Sequence, residues 1–379
     1  MPEEVAAPPL PAPAASASSA FVCGCDEWMR SACDGEPFYR EHEGKRYCVL
    51  HFPGAEKGAA FAEALKRKLD AEDFDFKGVW FPDGPDFSIY FGAAANFSSA
   101  TFGAAANFSS AKFSAAADFS SAIFKDYVRF AGGEGKSGFS DQSSLTLEHA
   151  DIEKPERVSF HTLALRPHWF INADARKFHF TNVKWPDLER HGLMQRDGIK
   201  QVIEKTETSK GSSSYILLTE ACRRLAVNAE ENHRYEEAAQ FRYWAMDVRR
   251  RERWRGLAFW KLSWWYWRAS GYGERILRAL VVLLVVWMAF ALLYTRVGFT
   301  ARVPRYGGES DEMVARRAEV GEPLDWSRAT TYSLGVLTLQ KPEPRPVTIW
   351  AQRLVLLETL LGPLQAALLA LAIRRKFMR

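Results

Sequence analysis

Three consecutive stretches of nearly copied text decide the fold: FGAAANFSSAT at 91–101, FGAAANFSSAK at 102–112 and FSAAADFSSAI at 113–123. Within and just after them Phe91, Phe97, Phe102, Phe108, Phe113, Phe119 and Phe124 recur at alternating steps of six and five residues. An α-helix would scatter that period over all its faces, and a flat strand buries every second residue. A coil with four short sides, each of about five residues, turns every such Phe inward and stacks successive coils on one another. Ala95, Ala100, Ala106, Ala111, Ala117 and Ala122 each stand two positions before a Phe. They suit the second inward position of each side, because a narrow interior has room for only one large ring there. Asn96, Asn107 and Asp118 precede a Phe directly, where a short polar side chain can bond the backbone of a turn. The extra residue in alternate steps is expected as a bulge at a corner.

Working outward, Phe160, Leu165, Phe170, Ala175, Phe180 and Trp185 keep a strict five-residue spacing, and Phe76, Phe81 and Phe87 carry the phase backwards. The repeat domain is therefore expected over 74–185, with the Gly- and Ser-rich 131–149 as a loop or a distorted coil. At about twenty residues per coil this makes roughly five coils, enough to share one core. A disordered low-complexity tract is a poor alternative, because the Phe phase persists after the composition changes. These residues resemble the pentapeptide-repeat family, in particular its Phe-centred members with an eleven-residue double repeat. The resemblance implies a mainly β, right-handed quadrilateral β-helix. Some proteins of that family resemble B-form DNA in shape and charge and inhibit topoisomerases, a role that needs a strongly acidic face. Acidic and basic residues are nearly balanced between Phe74 and Trp185, so no such field is expected.

The chain has 379 residues and a net charge of +4, averages that conceal a polar first two thirds and an apolar last third. Residues 1–20, rich in Ala, Pro and Ser, read as a disordered tail without the basic start or Leu-rich core of a signal peptide. Residues 21–73 form a Cys/His-rich capping segment that holds Cys23, Cys25, Cys33, Cys48, His42 and His51. Thiolate and imidazole suit tetrahedral zinc, and a structural site would stabilise a segment too short for a core of its own. The preferred ligands are Cys25, Cys33, Cys48 and His51, with Cys23 able to replace Cys25; His42 is assigned to a solvated loop. Disulfides, which a reducing compartment disfavours, and unligated thiols are the alternatives. The text YCVLHFP at 47–53 also resembles the cysteine- and histidine-containing cap that precedes the repeats in related proteins.

After Trp185 the text turns polar, and 186–213 reads as a linker. Helical periodicity then resumes in two runs, from Tyr215 to Ala226 and from Tyr235 to Val248, which predicts a helical hairpin over 214–253. It resembles the helical connector of membrane-associated pentapeptide-repeat proteins. Cys222 in it is read as a small packed residue.

Residues 254–379 read as a membrane domain. Trp254, Trp260, Trp264, Trp265, Tyr266 and Trp267 interleave with Arg and Lys immediately before the apolar run ILRALVVLLVVWMAFALLY. Such interleaving can bind single-stranded nucleic acid, but beside an apolar run it marks an interfacial belt, so no nucleic acid is expected as a partner. The first span is expected over about 276–296, a re-entrant helix over about 326–339, and the second span over about 348–373. Basic clusters before the first span and after the second outweigh those in the connecting loop, which places both termini in the cytoplasm of a multi-pass inner-membrane protein. Span, short helix, span is also the layout of the two-helix potassium-channel pore, and TTYSLGVLT and LETLLGPLQAALLALAIRRKFMR resemble its pore and inner helices. That family's filter is a T-V-G-Y-G run whose carbonyls replace the ion's hydration shell. Here Thr338-Leu339-Gln340-Lys341-Pro342 stands in its place, without glycine and with a cation.

No nucleophile–base–orienter set, phosphate loop or redox motif is visible, so an enzyme is not expected. Two readings stand. One is an oligomeric channel-like protein whose cytoplasmic β-helix is a sensor or assembly platform, with Glu358, Gln365, Thr338 and Gln340 as polar intramembrane candidates. The other is a non-conducting scaffold in the lipid bilayer that binds a protein partner through the β-helix. Glu358 either lines a water-filled path or makes an ion pair with Arg353 or a polar bond between helices.

Overall fold

The computed structural model describes residues 21–132, 138–186, 203, 214–252, 262–300 and 321–377. The tail 1–20, the linker apart from Pro186 and Ile203, and Trp254 and Trp260 of the aromatic run lie outside the described residues. The chain divides into two compact units, residues 1–198 and 199–379.

In the first unit the backbone bonds from one coil to the next. Trp80–Phe81 pairs in parallel with Thr101–Phe102, which pairs with Ile123–Phe124 and through it with Asp151–Ile152. Ala106–Ser109, Val128–Ala131, Val158–His161 and His179–Thr181 make a second column. Ala95–Asn96, Ala116–Asp118 and Ser144–Thr146 make a third, and Tyr90–Phe91 with Lys112–Phe113 a fourth, extended by a bridge from Phe113 to Phe139. The chain visits the columns in turn, which makes a solenoid of many short parallel strands. The register Phe81, Phe102, Phe124 advances 21 and then 22 residues, and Phe160 to Phe180 advances 20. One coil is longer, with Val128 opposite Val158 after 30 residues. It holds the Gly- and Ser-rich stretch yet keeps the phase, since Phe139 and Leu145 are buried. It is a distorted coil, and its residues 133–137 are outside the described part.

Within the copied stretches an inward Phe lies on its own copy from the next coil. Phe76, Phe97 and Phe119 stack at 5.0 and 4.7 Å, Phe81, Phe102 and Phe124 at 4.8 and 4.8 Å, and Phe87, Phe108 and Phe130 at 5.1 and 4.9 Å. Ala95, Ala100, Ala106, Ala111, Ala117 and Ala122 are buried between them. At the corners Asn96 Oδ1 accepts from the Ser98 N–H at 3.0 Å, and Asn107 and Asp118 bond Ser109 and Ser120 in the same way. The next residue, Ser99, Ser110 or Ser121, takes a left-handed φ of 53°, 65° or 56°. The side-chain bond just before it helps to hold that conformation.

The first coil is covered by residues 21–73. Helix α1 (Gly58–Asp70) turns Phe61, Ala64 and Lys68 inward at helical spacing. Phe61 packs on Phe81 at 5.5 Å, and Lys68 Nζ lies 5.8 Å from the Phe76 ring. Trp80 N–H, at the open edge of its column, donates to Leu50 O at 3.0 Å.

The second unit is helical. α2 (Ser214–Glu231) and α3 (Tyr235–Glu252) pack on each other, burying Leu218, Ala221 and Leu225 with Ala238, Phe241 and Trp244. Cys222 is fully buried there, and burial pushes its thiol up to about 12, as for an inert packed residue. α4 (Leu262–Ser270), α5 (Ile276–Tyr294), α6 (Trp326–Leu337) and α7 (Ile349–Phe377) follow. Two stretches, Ile276–Tyr294 and Ile349–Arg375, are long and apolar enough to cross a membrane. They run antiparallel, since Tyr294 meets Glu358, Ala279 meets Gln365, and Tyr272 meets Arg375. α6 packs against both and buries Ala329, Tyr332 and Val336 with Phe290, Tyr294, Phe299 and Ala351.

Candidate metal centre

Cys23, Cys33, Cys48 and His51 arrive from separate local structures. Cys33 ends the short 3-10 turn Glu27–Cys33, Cys48 ends the strand Lys45–Cys48, and His51 follows in the next turn. Cys23 is brought in by Gly24, whose N–H donates to Arg46 O at 2.6 Å. A Cβ at Gly24 would lie 2.9 Å from Lys45 Cβ, so only glycine lets the backbone press this closely on the strand. The four ligand atoms then lie within 4.8 Å of one another, and all four residues are buried.

The spacings fit an ion. Cys23 Sγ is 3.7 Å from Cys48 Sγ and 3.9 Å from His51 Nδ1, while Cys48 Sγ is 3.4 Å from His51 Nδ1. Tetrahedral zinc at its usual bond lengths gives edges of about 3.8 Å between sulfurs and about 3.6 Å between sulfur and nitrogen. His51 Nε2 lies 2.9 Å from Lys77 O. A carbonyl can only accept, so Nε2 carries the proton and donates it, which leaves the Nδ1 lone pair facing the sulfurs. Cys25 and then Cys33 and Cys48 hold the Cys23 thiol well below its ordinary value, and Cys23 and Cys25 hold Cys33 well above it. Burial works against a charge on His51, yet hydrogen bonds to the sulfurs of Cys23, Cys25 and Cys48 outweigh it and push the imidazole up to about 12, so a metal would take the place of a proton on Nδ1 and free that lone pair. Sulfurs this close cannot all be thiolates without a cation among them, and the group could bind a metal such as zinc.

The sequence preferred Cys25 and kept Cys23 in reserve. In the structure Cys23 belongs to the converging four, and Cys25 is half-buried beside them. His42 is exposed at the end of the strand Phe38–His42. Lys57 carried no sequence signal. It is buried and donates from Nζ to Val49 O at 2.7 Å and Leu50 O at 2.9 Å, tying the turn between Cys48 and His51. Burial lowers it to about 7, opposed by the nearby Cys48 charge.

The polar candidates of the helical unit lie elsewhere. Glu358 is buried and accepts from Tyr294 Oη at 2.5 Å and from Ser333 Oγ, which makes it a bond between helices. Arg353 is not its partner and lies 5.1 Å from the Trp350 ring. Gln365 donates from Nε2 to Ala269 O and Ala279 O, each at 2.9 Å. Thr338 and Gln340 are exposed at the end of α6. There the helix closes on itself: Gln340 N–H donates to Gly335 O at 2.9 Å, Thr338 Oγ1 to Leu334 O at 3.0 Å, and Pro342 folds back against Gly335. Neither Tyr294 nor Ser333 was singled out from the sequence, where one reads as a span end and the other as part of a short helix. No protein-family model, curated protein or solved structure matches this chain.

Proposed function

We propose that the protein is a membrane-anchored repeat scaffold. In this reading a right-handed quadrilateral β-helix of the pentapeptide-repeat type, capped by zinc, offers a protein-binding face at the cytoplasmic surface. The two long apolar helices hold it in the inner membrane with both termini inside. The observation that carries the reading is the outer surface of those helices. Leu280, Val281, Leu284, Val285 and Met288 of α5 and Leu356, Leu357, Leu360, Leu361 and Leu364 of α7 are all exposed. Two such faces in water would be an aggregation hazard, and lipid is their natural solvent. The polar side chains Glu358 and Gln365 are used within the chain, so neither is left to line an aqueous axis. The capped turn at 338–342 also lacks the extended run of carbonyls on which a filter depends.

One observation favours the oligomeric channel, the reading that the sequence alone preferred. α6 packs against both long helices, as a pore helix would. Reconstitution of the detergent-purified full chain into liposomes separates the readings. The scaffold predicts recovery from the membrane fraction and ion flux no greater than in protein-free vesicles. Flux that changes with Glu358→Gln would overturn it in favour of the channel.

A further inference from the structure

The capping segment holds one sulfur more than a closed tetrahedral shell can use. Of the five cysteines in the chain, Cys23, Cys25, Cys33 and Cys48 lie in this segment, and none is in a disulfide. Cys23, Cys33 and Cys48 converge with His51, and those four donors complete a tetrahedron. Cys25 is left over, yet it is no bystander: hydrogen bonds link its side chain to those of Cys23, Cys33 and His51. The fifth cysteine, Cys222, is fully buried in α2.

Exposure separates Cys25 from the other three. Cys23, Cys33 and Cys48 are 6, 8 and 0% exposed, whereas Cys25 is half-buried and the residues after it, Asp26, Glu27 and Trp28, are exposed. A small solute therefore meets the Cys25 sulfur before it meets any of the buried ones. The backbone keeps this thiol at the centre. Only Gly24 stands between Cys23 and Cys25, the chain bends at Gly24 and Cys25, and the Gly24 N–H is held by Arg46 O at 2.6 Å. A half-exposed thiol beside buried ones is the arrangement of an attacking sulfur with a resolving partner.

We infer that Cys25 makes the centre sensitive to hydroperoxides, by forming a disulfide with Cys23 that takes one donor away from the ion. The inference rests on the zinc reading of the cluster. In the first step the Cys25 sulfur attacks one peroxide oxygen; the O–O bond breaks, and Cys25 becomes a sulfenic acid as one water leaves. In the second the Cys23 sulfur attacks the Cys25 sulfur; the S–S bond forms, the S–O bond breaks, and the departing hydroxide takes a proton to leave as a second water. The two cysteines give up two electrons and the peroxide takes them. Three donors of the four then remain, and the turn that His51 ties to Lys77 O loses part of its staple. A disulfide that forms only under oxidant and reverses with thiols is the kind a reducing compartment permits.

The test uses the full chain, purified in detergent under reducing conditions, loaded with zinc and then treated with hydrogen peroxide. Zinc release is read with a chromophoric indicator, and cysteine pairing by peptide mass spectrometry after alkylation. Wild type should release its zinc, carry a Cys23–Cys25 disulfide, and take the metal back after treatment with dithiothreitol. Hydrogen exchange over residues 45–52 should rise on oxidation and fall again on reduction. Cys25→Ser and Cys25→Ala should both hold zinc as wild type does before oxidant, and release it on the order of tenfold more slowly. Release from both variants at the wild-type rate, or a wild-type disulfide that lacks Cys25, overturns the sensing role and leaves the zinc reading standing. Loss of zinc from both variants before any oxidant also overturns it, since Cys25 would then be a ligand. Wild type that binds no zinc overturns the zinc reading and the inference with it.

Discussion

Cys48→Ala is the sharpest perturbation of the metal centre. Cys48 is fully buried, its Sγ stands 3.7 Å from Cys23 Sγ and 3.4 Å from His51 Nδ1, and its N–H bonds the Cys23 sulfur at 3.5 Å. A structural zinc of this kind contributes about 10–16 kcal/mol to the folded state, so one ligand in four accounts for roughly 3–4 kcal/mol, or a loss of affinity of some hundredfold to thousandfold. The packing change is small beside that, since alanine fills most of the volume of a thiol. Metal content per chain, followed by competition with a chromophoric chelator, reads the loss directly. Wild type should carry one zinc, with an X-ray absorption spectrum of three sulfurs and one nitrogen. Cys48→Ala should lose the metal to a chelator that wild type resists, and Cys25→Ala should keep it. Full metal retention by Cys48→Ala would refute the assignment. Equal losses in both variants would return Cys25 to the ligand set in place of Cys23.

Three further perturbations test packing and polar satisfaction. Phe97→Ala removes a ring held between Phe76 and Phe119, where parallel pairing on both sides prevents collapse; a loss of about 3–5 kcal/mol is expected in denaturant unfolding, and one below about 1 kcal/mol would sink the stacked-core account. Lys57→Met keeps the stem but strips two carbonyls of their donor; a cost of about 2–3 kcal/mol, with faster zinc release, should appear in melting and chelation assays. Glu358→Leu leaves the Tyr294 and Ser333 hydroxyls without their acceptor, at about 1–3 kcal/mol each, whereas Glu358→Gln keeps a carbonyl for them. Melting in detergent should therefore rank Gln close to wild type and Leu well below, and equal stability of the Leu variant would remove Glu358 from its assigned role.

The repeat was legible because within the copied stretches the spatial neighbour of a Phe is its own copy one coil later, so repetition in the text is contact in the fold. Phe97 lies on Phe119, and both letters sit in the same place of the same motif. The corners were legible for a similar reason, since Asn96 bonds a residue only two positions away. The choice between Cys23 and Cys25 was not legible. It depends on how closely Gly24 approaches Arg46, a contact across 22 residues with no periodic mark. Glu358 was left open between a wet path and a bond between helices, and its partners lie 64 and 25 residues away. Lys57 gave no signal because its partners are backbone carbonyls, which every residue has.

The placement of the metal ligands bears on what the metal is for. A stacked coil ends in exposed rings and unpaired strand edges, and such an end must be covered. Residues 21–73 cover it with few apolar groups, chiefly Val49, Leu50, Phe52, Phe61 and Ala64. So short a segment needs a staple, and one ion held by these four residues would supply it. The staple is joined to the first coil at the ligand itself, because His51 donates to Lys77 O while the neighbouring Leu50 O accepts from Trp80. Losing the ion would loosen the very turn that closes the coil, and each later coil would feel it only through the one before. A closed shell of three sulfurs and one nitrogen would leave no open position for a reacting group, as in structural zinc sites. A metal held there would therefore be tied to the integrity of the solenoid's first coil, and any response to metal would be read there as order or disorder at that end.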